Sequence, residues 1–276
     1  MNTTGFDHIR RLFEGPLPPW LTRLARKAGR GINRYGMLGE GDRVLLGISG
    51  GKDSLVMALI LSLRRRWLPI HYHLEAVHLN WQEYPISDEE TDRLAAYFDA
   101  IDVPFTQITT TMFPGHYDGQ FNCYLCARNR KRLLFTYMKE HDIPILALGH
   151  HLDDIVETTL INMAMRGRLF TMMPVQPFFG GLFTLIRPLC EVPESQVRTA
   201  VEKLGLPVVK PDCPYKDTNL RLRVKPLVEQ LATLDPLARE KIYRSLLNIQ
   251  PDYLPISLKT GHEYTTVEPE GTDEGP

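Results

Sequence analysis

Short apolar runs alternate along this chain with longer stretches of helical periodicity. Residues 43–49, 70–80, 105–110, 143–149 and 182–188 read as strands, with a short further one at 207–210. Residues 54–66, 88–100, 123–141, 153–166 and 193–204 repeat apolar positions at the spacing of a helix face. Strands that are apolar throughout, each separated from the next by a helix, predict an α/β fold: a doubly wound, mostly parallel sheet covered on both faces. A basic helix over 21–35, weakened by Gly29 and Gly31, precedes the first strand, and two short helices at 226–234 and 236–247 follow the last. The pattern divides the chain into an N-terminal basic segment (1–38), a central α/β domain (39–220), a C-terminal helical segment (221–256) and a tail (257–276). The Gly, Glu, Thr and Pro content of the tail predicts disorder.

Ligands of such sheets collect at the carboxyl ends of the strands, and the unusual residues fall there. Ser49-Gly50-Gly51-Lys52-Asp53-Ser54 follows the run Val44-Leu45-Leu46-Gly47-Ile48 and leads into a helix. The glycine pair lets the backbone turn tightly and aim N–H groups at one anion. The helix N-terminus adds partial positive charge, and Ser49, Lys52 and Ser54 add donors. The segment reads as a phosphate cradle. A Walker A loop would need Gly at position 46 and Ser or Thr after the lysine, where this chain has Leu46 and Asp53, and there is no G-x-G-x-x-G. His78-Leu79-Asn80 closes the second strand, and Gly149-His150-His151-Leu152-Asp153-Asp154 follows the fourth. Asp153 reads as a helix cap or supporting residue and Asp154 as the site carboxylate.

Composition narrows the function classes. With 276 residues, 43% hydrophobic and 24% charged, the chain can bury a substantial core. A net charge of −1 argues against a globally basic nucleic-acid binder, so any RNA contact falls to local clusters. These are Arg23, Arg26, Lys27, Arg30 and Arg34; Arg64-Arg65-Arg66; Arg128 to Arg132; and Arg221, Arg223 and Lys225. For any one cluster the plainer reading is a solvated helix face. No apolar stretch approaches the roughly 20 residues of a membrane span, and the N-terminus lacks the apolar core of a signal peptide, so no membrane and a cytoplasmic location are expected. Four cysteines are too few for a secreted disulfide framework of this length. In a reducing compartment, grouped cysteines point to metal or redox chemistry.

Cys123-Tyr124-Leu125-Cys126 opens a helix, and Cys190 and Cys213 lie far downstream. As a redox pair, the C-x-x-C would need a thioredoxin-like frame, which the cradle contradicts. As a structural zinc site it needs a fourth ligand and usually a second C-x-x-C, which is missing. As a three-cysteine iron–sulfur site it needs one more thiolate, for which Cys213 is the candidate.

The six-residue turn resembles the SGGxDS signature of the PP-loop ATP pyrophosphatases, which split ATP into AMP and pyrophosphate to adenylate a substrate. Together with the C-x-x-C, the G-H-H-x-D-D, Arg187-Pro188-Leu189 and the lone Cys213 before a basic stretch, the order resembles the tRNA 2-thiocytidine synthetase family over roughly residues 21–229. The resemblance implies that Gly47, Ser49, Gly50, Gly51, Lys52, Asp53, Ser54, His78, Asn80, Gly149 and Asp154 bind ATP and its Mg2+, with Asp53 toward the metal. It implies Cys123, Cys126 and Cys213 as ligands of a 4Fe-4S cluster, and these three with Lys52 and Asp154 as the catalytic set. Cys190 reads as a buried structural thiol. The implied partners are tRNA, a sulfur donor (a cysteine desulfurase or free sulfide) and a second copy of the chain. Two features depart from the thiouridine-making relatives: the terminal zinc-binding C-x-x-C pairs are missing, and Arg130, followed by Lys131, stands where they carry a lysine. The expected activity is ATP-dependent tRNA 2-thiolation, adenylating the C2 oxygen of an anticodon-loop cytidine. The rival readings are thiolation of uridine or of a small molecule, lysidine synthesis, and a non-enzymatic nucleotide-binding metal or redox sensor.

Overall fold

The computed structural model describes residues 5–113, 123–209, 213, 220–250 and 253; the tail 257–276 lies outside the described residues. The chain opens with a one-turn helix α1 (Asp7–Arg10) and a 3-10 turn (Arg11–Phe13), followed by α2 (Pro19–Arg34). Then come β1 (Arg43–Ile48), α3 (Lys52–Arg64), β2 (His73–Trp81), α4 (Asp88–Ala100), β3 (Phe105–Thr110), α5 (Cys123–Glu140), β4 (Ile145–Ala147) and α6 (Leu152–Arg166). An antiparallel pair, β5 (Val175–Phe178) and β6 (Phe183–Ile186), precedes α7 (Glu194–Leu204), α8 (Leu220–Leu234) and α9 (Ala238–Ser245).

β1 shows why its sequence is apolar at successive positions. Val44, Leu46 and Ile48 point into a core shared with α3 and α6, while Leu45 points into a second core with Leu134 and Met138 of α5. A strand covered on both faces has no solvent side on which to place polar residues. α3 is enclosed as well: every residue from Ser54 to Arg64 is buried. α4 starts at a capping box in which Ser87 and Glu90 each accept the other's backbone N–H.

The sheet among the described residues has six strands in the order β3-β2-β1-β4-β6-β5, all parallel except β5. Strand order reverses between β1 and β4. Their carboxyl ends therefore flank the crevice in which open α/β sheets bind ligands.

Three local expectations change, and one strand is added. Residues 207–209 form no strand; instead the Val209 N–H donates to the Gly50 carbonyl at 2.9 Å and lies against the turn after β1. β5 carries Pro177, which argues against a strand by sequence, yet it lies at the sheet edge where a missing N–H is tolerated. α8 starts at Leu220 and runs through Pro226 rather than starting there. Arg64-Arg65-Arg66 is not a solvated face: Arg64 is 4% exposed, Arg65 donates to the Ser62 hydroxyl at 2.9 Å and to the Asp102 carbonyl at 2.6 Å, and Arg66 reaches the Leu12 and Gly15 carbonyls.

Candidate active site

The turn after β1 is short because α3 starts at Lys52, two residues earlier than its apolar pattern suggests, with Gly51 as N-cap. The uncapped N–H groups of that first turn therefore lie at the cradle itself. Gly50 turns the chain with φ +79°, in the left-handed region, and a β-carbon there would sit 3.3 Å from the Val209 side chain. The Ser49 hydroxyl accepts from the Gly51 N–H at 3.2 Å and lies 3.2 Å from the Ser54 hydroxyl, which donates to the Gly51 carbonyl at 2.9 Å. On the facing loop, a β-carbon on Gly149 would lie 2.7–2.8 Å from the Asp53 and Ser54 backbone, so only glycine lets β4 and α3 approach this closely. Gly47 lies inside β1 against the Leu148 side chain.

Charges converge on this turn. The Lys52 ammonium donates to both Asp53 oxygens at 2.8 and 2.9 Å and lies 3.1 Å from Glu194. Burial works against its charge, but Asp53 and Glu194 outweigh it and its pKa rises. Glu194, the first residue of α7, also pairs with Lys225 at 2.7 Å and Arg198 at 2.9 Å. Burial pushes that carboxyl up, but the hydrogen bonds from Arg198, Lys225 and Lys52 outweigh it and hold it well below the usual range. His151 lies 3.5 Å from Asp53.

Both aspartates at the head of α6 satisfy helix N-termini. His151 is the N-cap, and it forms the capping box with Asp154, whose carboxylate accepts the His151 N–H at 2.9 Å. Asp153 instead caps α7, accepting the Glu194 N–H at 2.7 Å, and pairs with Arg239 of α9. Asp154 also faces Arg221 of α8 at 3.5 Å. Burial would raise its pKa; His151, His150 and Arg221 more than offset that, and the carboxyl stays ionised. Burial, reinforced by Arg187, pushes the His150 imidazole down to about 3, so it is neutral.

His78 is buried at the end of β2, its Nδ1 2.9 Å from the Ile48 carbonyl and its Nε2 without a hydrogen-bond partner. Asn80 accepts the Ile86 N–H at 3.0 Å, fixing the loop after β2. The His78 ring lies 3.8 Å from where a Gly50 β-carbon would be, and Arg130 of α5 acts on both His78 and Cys126. Cys123 and Cys126, three residues apart, share one face of the start of α5. The Cys126 thiol is raised first by burial and further by Cys213 and Cys123, against the pull of Arg130, so both other thiols lie within electrostatic reach of it. No group of three His, Cys, Asp or Glu side chains among the described residues is set to hold a single ion. A three-thiol donor set fits an iron–sulfur cluster, which spreads its ligands further apart than one ion does. No disulfide joins the four cysteines. Cys190 is fully buried, its thiol pushed up to about 12 by burial, and plays no part in this neighbourhood.

The PP-loop domain family matches residues 22–248. The tRNA-cytidine(32) 2-sulfurtransferase of Syntrophotalea carbinolica is 37% identical over 237 residues, covering 84% of this chain and 91% of that protein. The enzyme of the same name from Geobacter metallireducens is 34% identical over 242 residues with the same coverage. The chain belongs to the tRNA 2-thiocytidine synthetase family of PP-loop ATP pyrophosphatases. The U34-tRNA thiolase NcsA from Methanococcus maripaludis, solved with its [4Fe-4S] cluster, has the same fold, with a TM-score of 0.66 at 24% identity over 84% of this chain and 80% of that one.

Membership of the PP-loop domain family implies ATP as a ligand of this chain. Residues the family motifs do not reach complete the site. Glu194, Lys225, Arg221 and Arg239 meet the cradle and the head of α6 from α7, α8 and α9. Glu157, one turn beyond Asp154, is buried; burial and then Asp154 push its carboxyl up to about 7, against Arg221 and Lys225. Its only sequence signal is an acid on an otherwise buried helix face. Of the two candidates for the family's lysine position, Arg130 lies over Trp81 and faces Cys126, whereas Lys131 lies over Phe178.

Proposed function

We propose that this chain thiolates tRNA at C2 of a cytidine, position 32 by the names of its relatives, in an ATP-dependent reaction. It is a tRNA sulfurtransferase. The observation that carries the reading is the line from Gly50 through His78 and Arg130 to Cys126, which joins a phosphate cradle to three thiols at one end of the sheet.

The N–H groups at the head of α3 and the Lys52 ammonium hold the phosphates of ATP. To do so Lys52 exchanges Asp53 for phosphate, and the released carboxylate faces the Mg2+ that accompanies the nucleotide. The C2 oxygen of the base attacks the α-phosphate; a P–O bond forms, the bond to pyrophosphate breaks, and pyrophosphate leaves. Sulfide then forms a bond to C2, the C–O bond breaks, and AMP departs. When bound by Cys123, Cys126 and Cys213, a 4Fe-4S cluster supplies an iron without a protein thiolate, where sulfide can be held. Asp154, ionised between His151 and Arg221, acts as a hydrogen-bond acceptor for the base rather than as an acid. Arg130 supplies fixed positive charge beside the thiols and no proton.

The target must leave its stack to reach the crevice, which suits an anticodon-loop nucleotide. We assign residues 39–220 as the catalytic domain, with the helices of 221–256 supplying its cations. The chain acts in the cytoplasm as a homodimer and takes sulfur from a cysteine desulfurase or free sulfide. The exposed Met165, Phe179 and Leu182 support a dimer surface. No helix among the described residues is long and apolar enough to cross a membrane.

The test is mass spectrometry of nucleosides after anaerobic protein reconstituted with iron and sulfide meets tRNA and ATP. 2-Thiocytidine forms only when ATP is present and is lost with Lys52→Ala. Thiouridine in its place overturns the cytidine assignment, and AMP release with no thiolated nucleoside overturns sulfur transfer.

A further inference from the structure

At the other end of α3 from the cradle, about 18 Å along the helix axis at 1.5 Å per residue, lies a cavity of about 340 Å³. Arg26, Arg64, Arg66, Thr22 and Trp67 line it. Its floor is the buried Arg64, whose Nε has no hydrogen-bond partner and whose guanidinium makes one 3.3 Å bond to Asn33. A buried guanidinium with so few acceptors is costly unless an anion completes it. Gly29 provides its seat, since a β-carbon there would run into the guanidinium. Among the described residues, no carboxylate pairs with Arg26, Arg64 or Arg66, although Arg10, Arg34 and Arg65 each have one. Trp67, 46% exposed, stands at the mouth.

α2 joins this cavity to the active site. Its Lys27 pairs with Glu240 of α9 at 2.9 Å, and the neighbouring Arg239 reaches Asp153 at the head of α6. From there Arg30, Arg26 and Arg23 form an exposed row at helical spacing, again without carboxylate partners among the described residues. A small anion would need only the cavity. A row of arginines leading to it matches a chain of phosphates.

We propose that this cavity is a second RNA-docking point: it holds a backbone phosphate of the tRNA on Arg26 and Arg64, with the adjoining base stacked on Trp67. This rests on the tRNA reading above. Arg26 and Trp67 are exposed, so substituting them leaves the core intact, and ATP binding by each variant serves as the folding control.

The experiment is filter binding of tRNA across a KCl series. Arg26→Glu lowers tRNA affinity about tenfold at low salt and reduces the log–log salt slope by roughly 0.7–0.9, the loss of one phosphate contact. Trp67→Ala lowers affinity by about tenfold with the slope unchanged, as expected for a lost stack. Wild-type binding with both variants indistinguishable from it overturns the docking point while leaving the tRNA reading intact. Failure of the wild type to bind tRNA at low salt overturns that reading itself. If inorganic phosphate raises the melting temperature of the wild type but not of Arg26→Glu, and tRNA binds both equally, the cavity serves a small phosphate and the RNA assignment is wrong.

Discussion

Lys52 is the residue on which the site's electrostatics turn, since it answers to two carboxylates before any phosphate arrives. Replacing it with alanine removes a charge-assisted contact of about 1.5–3 kcal/mol. ATP affinity or turnover is expected to fall by one to two orders of magnitude, at ~1.4 kcal/mol per decade; unchanged ATP consumption would refute the cradle assignment. Glu157 gives a prediction about pH. In the unfolded chain its carboxyl loses a proton near 4.5, while the fold retains it to about 7. Over that interval the folded state binds more protons, so stability falls as pH rises. Glu157→Gln removes the dependence, and the melting temperature of the variant relative to wild type should climb from pH 4.5 to 7 and then level off. A constant difference would show that Glu157 titrates normally. Lys52 is legible in the sequence because its motif is contiguous. Glu194 and Glu157 are not, because each acquires its partners only when distant helices meet.

Among elements, α6 and α7 depend on Asp153, which caps one helix and pairs with Arg239 of α9 across the other. Removing one partner of a buried pair costs about 3 kcal/mol or more. Asp153→Ala should lower stability by about that amount, and adding Arg239→Ala should cost little further; a denaturant double-mutant cycle reads the coupling. Additive losses would mean that the pair contributes nothing. Sequence periodicity finds α4 and β3 at their observed ends because caps and alternation agree there. It passes over β5, whose Pro177 signals a break that only an edge position tolerates. It makes a strand of 207–210, of which Val209 lies against Gly50 instead of pairing in the sheet.

For the molecule as a whole, the parallel sheet was readable from apolar runs separated by helices, and the crevice from motifs at strand ends. The proposed ligand set of Cys123, Cys126 and Cys213 is open to a direct test. Anaerobic protein supplied with iron and sulfide should show a broad visible absorption that air or a chelator bleaches. Cys123→Ala, Cys126→Ala or Cys213→Ala should abolish it, and Cys190→Ala should retain it; dependence on Cys190 in place of Cys213 would refute the ligand set. The basic clusters were readable only as composition. The fold sorts them into the inward Arg64, the exposed row on α2, and the cations of α8 that meet carboxylates.

The carboxylates at the head of α6 and α7 also carry a consequence for biosynthesis. Asp153, Asp154 and Glu194 leave the ribosome before the Arg221, Lys225 and Arg239 that neutralise them. A nascent chain can pair its strands and form the turn after β1, but the acids beside that turn lack these counter-charges until α8 and α9 dock. Full neutralisation of these acids is thereby deferred to the last helices made.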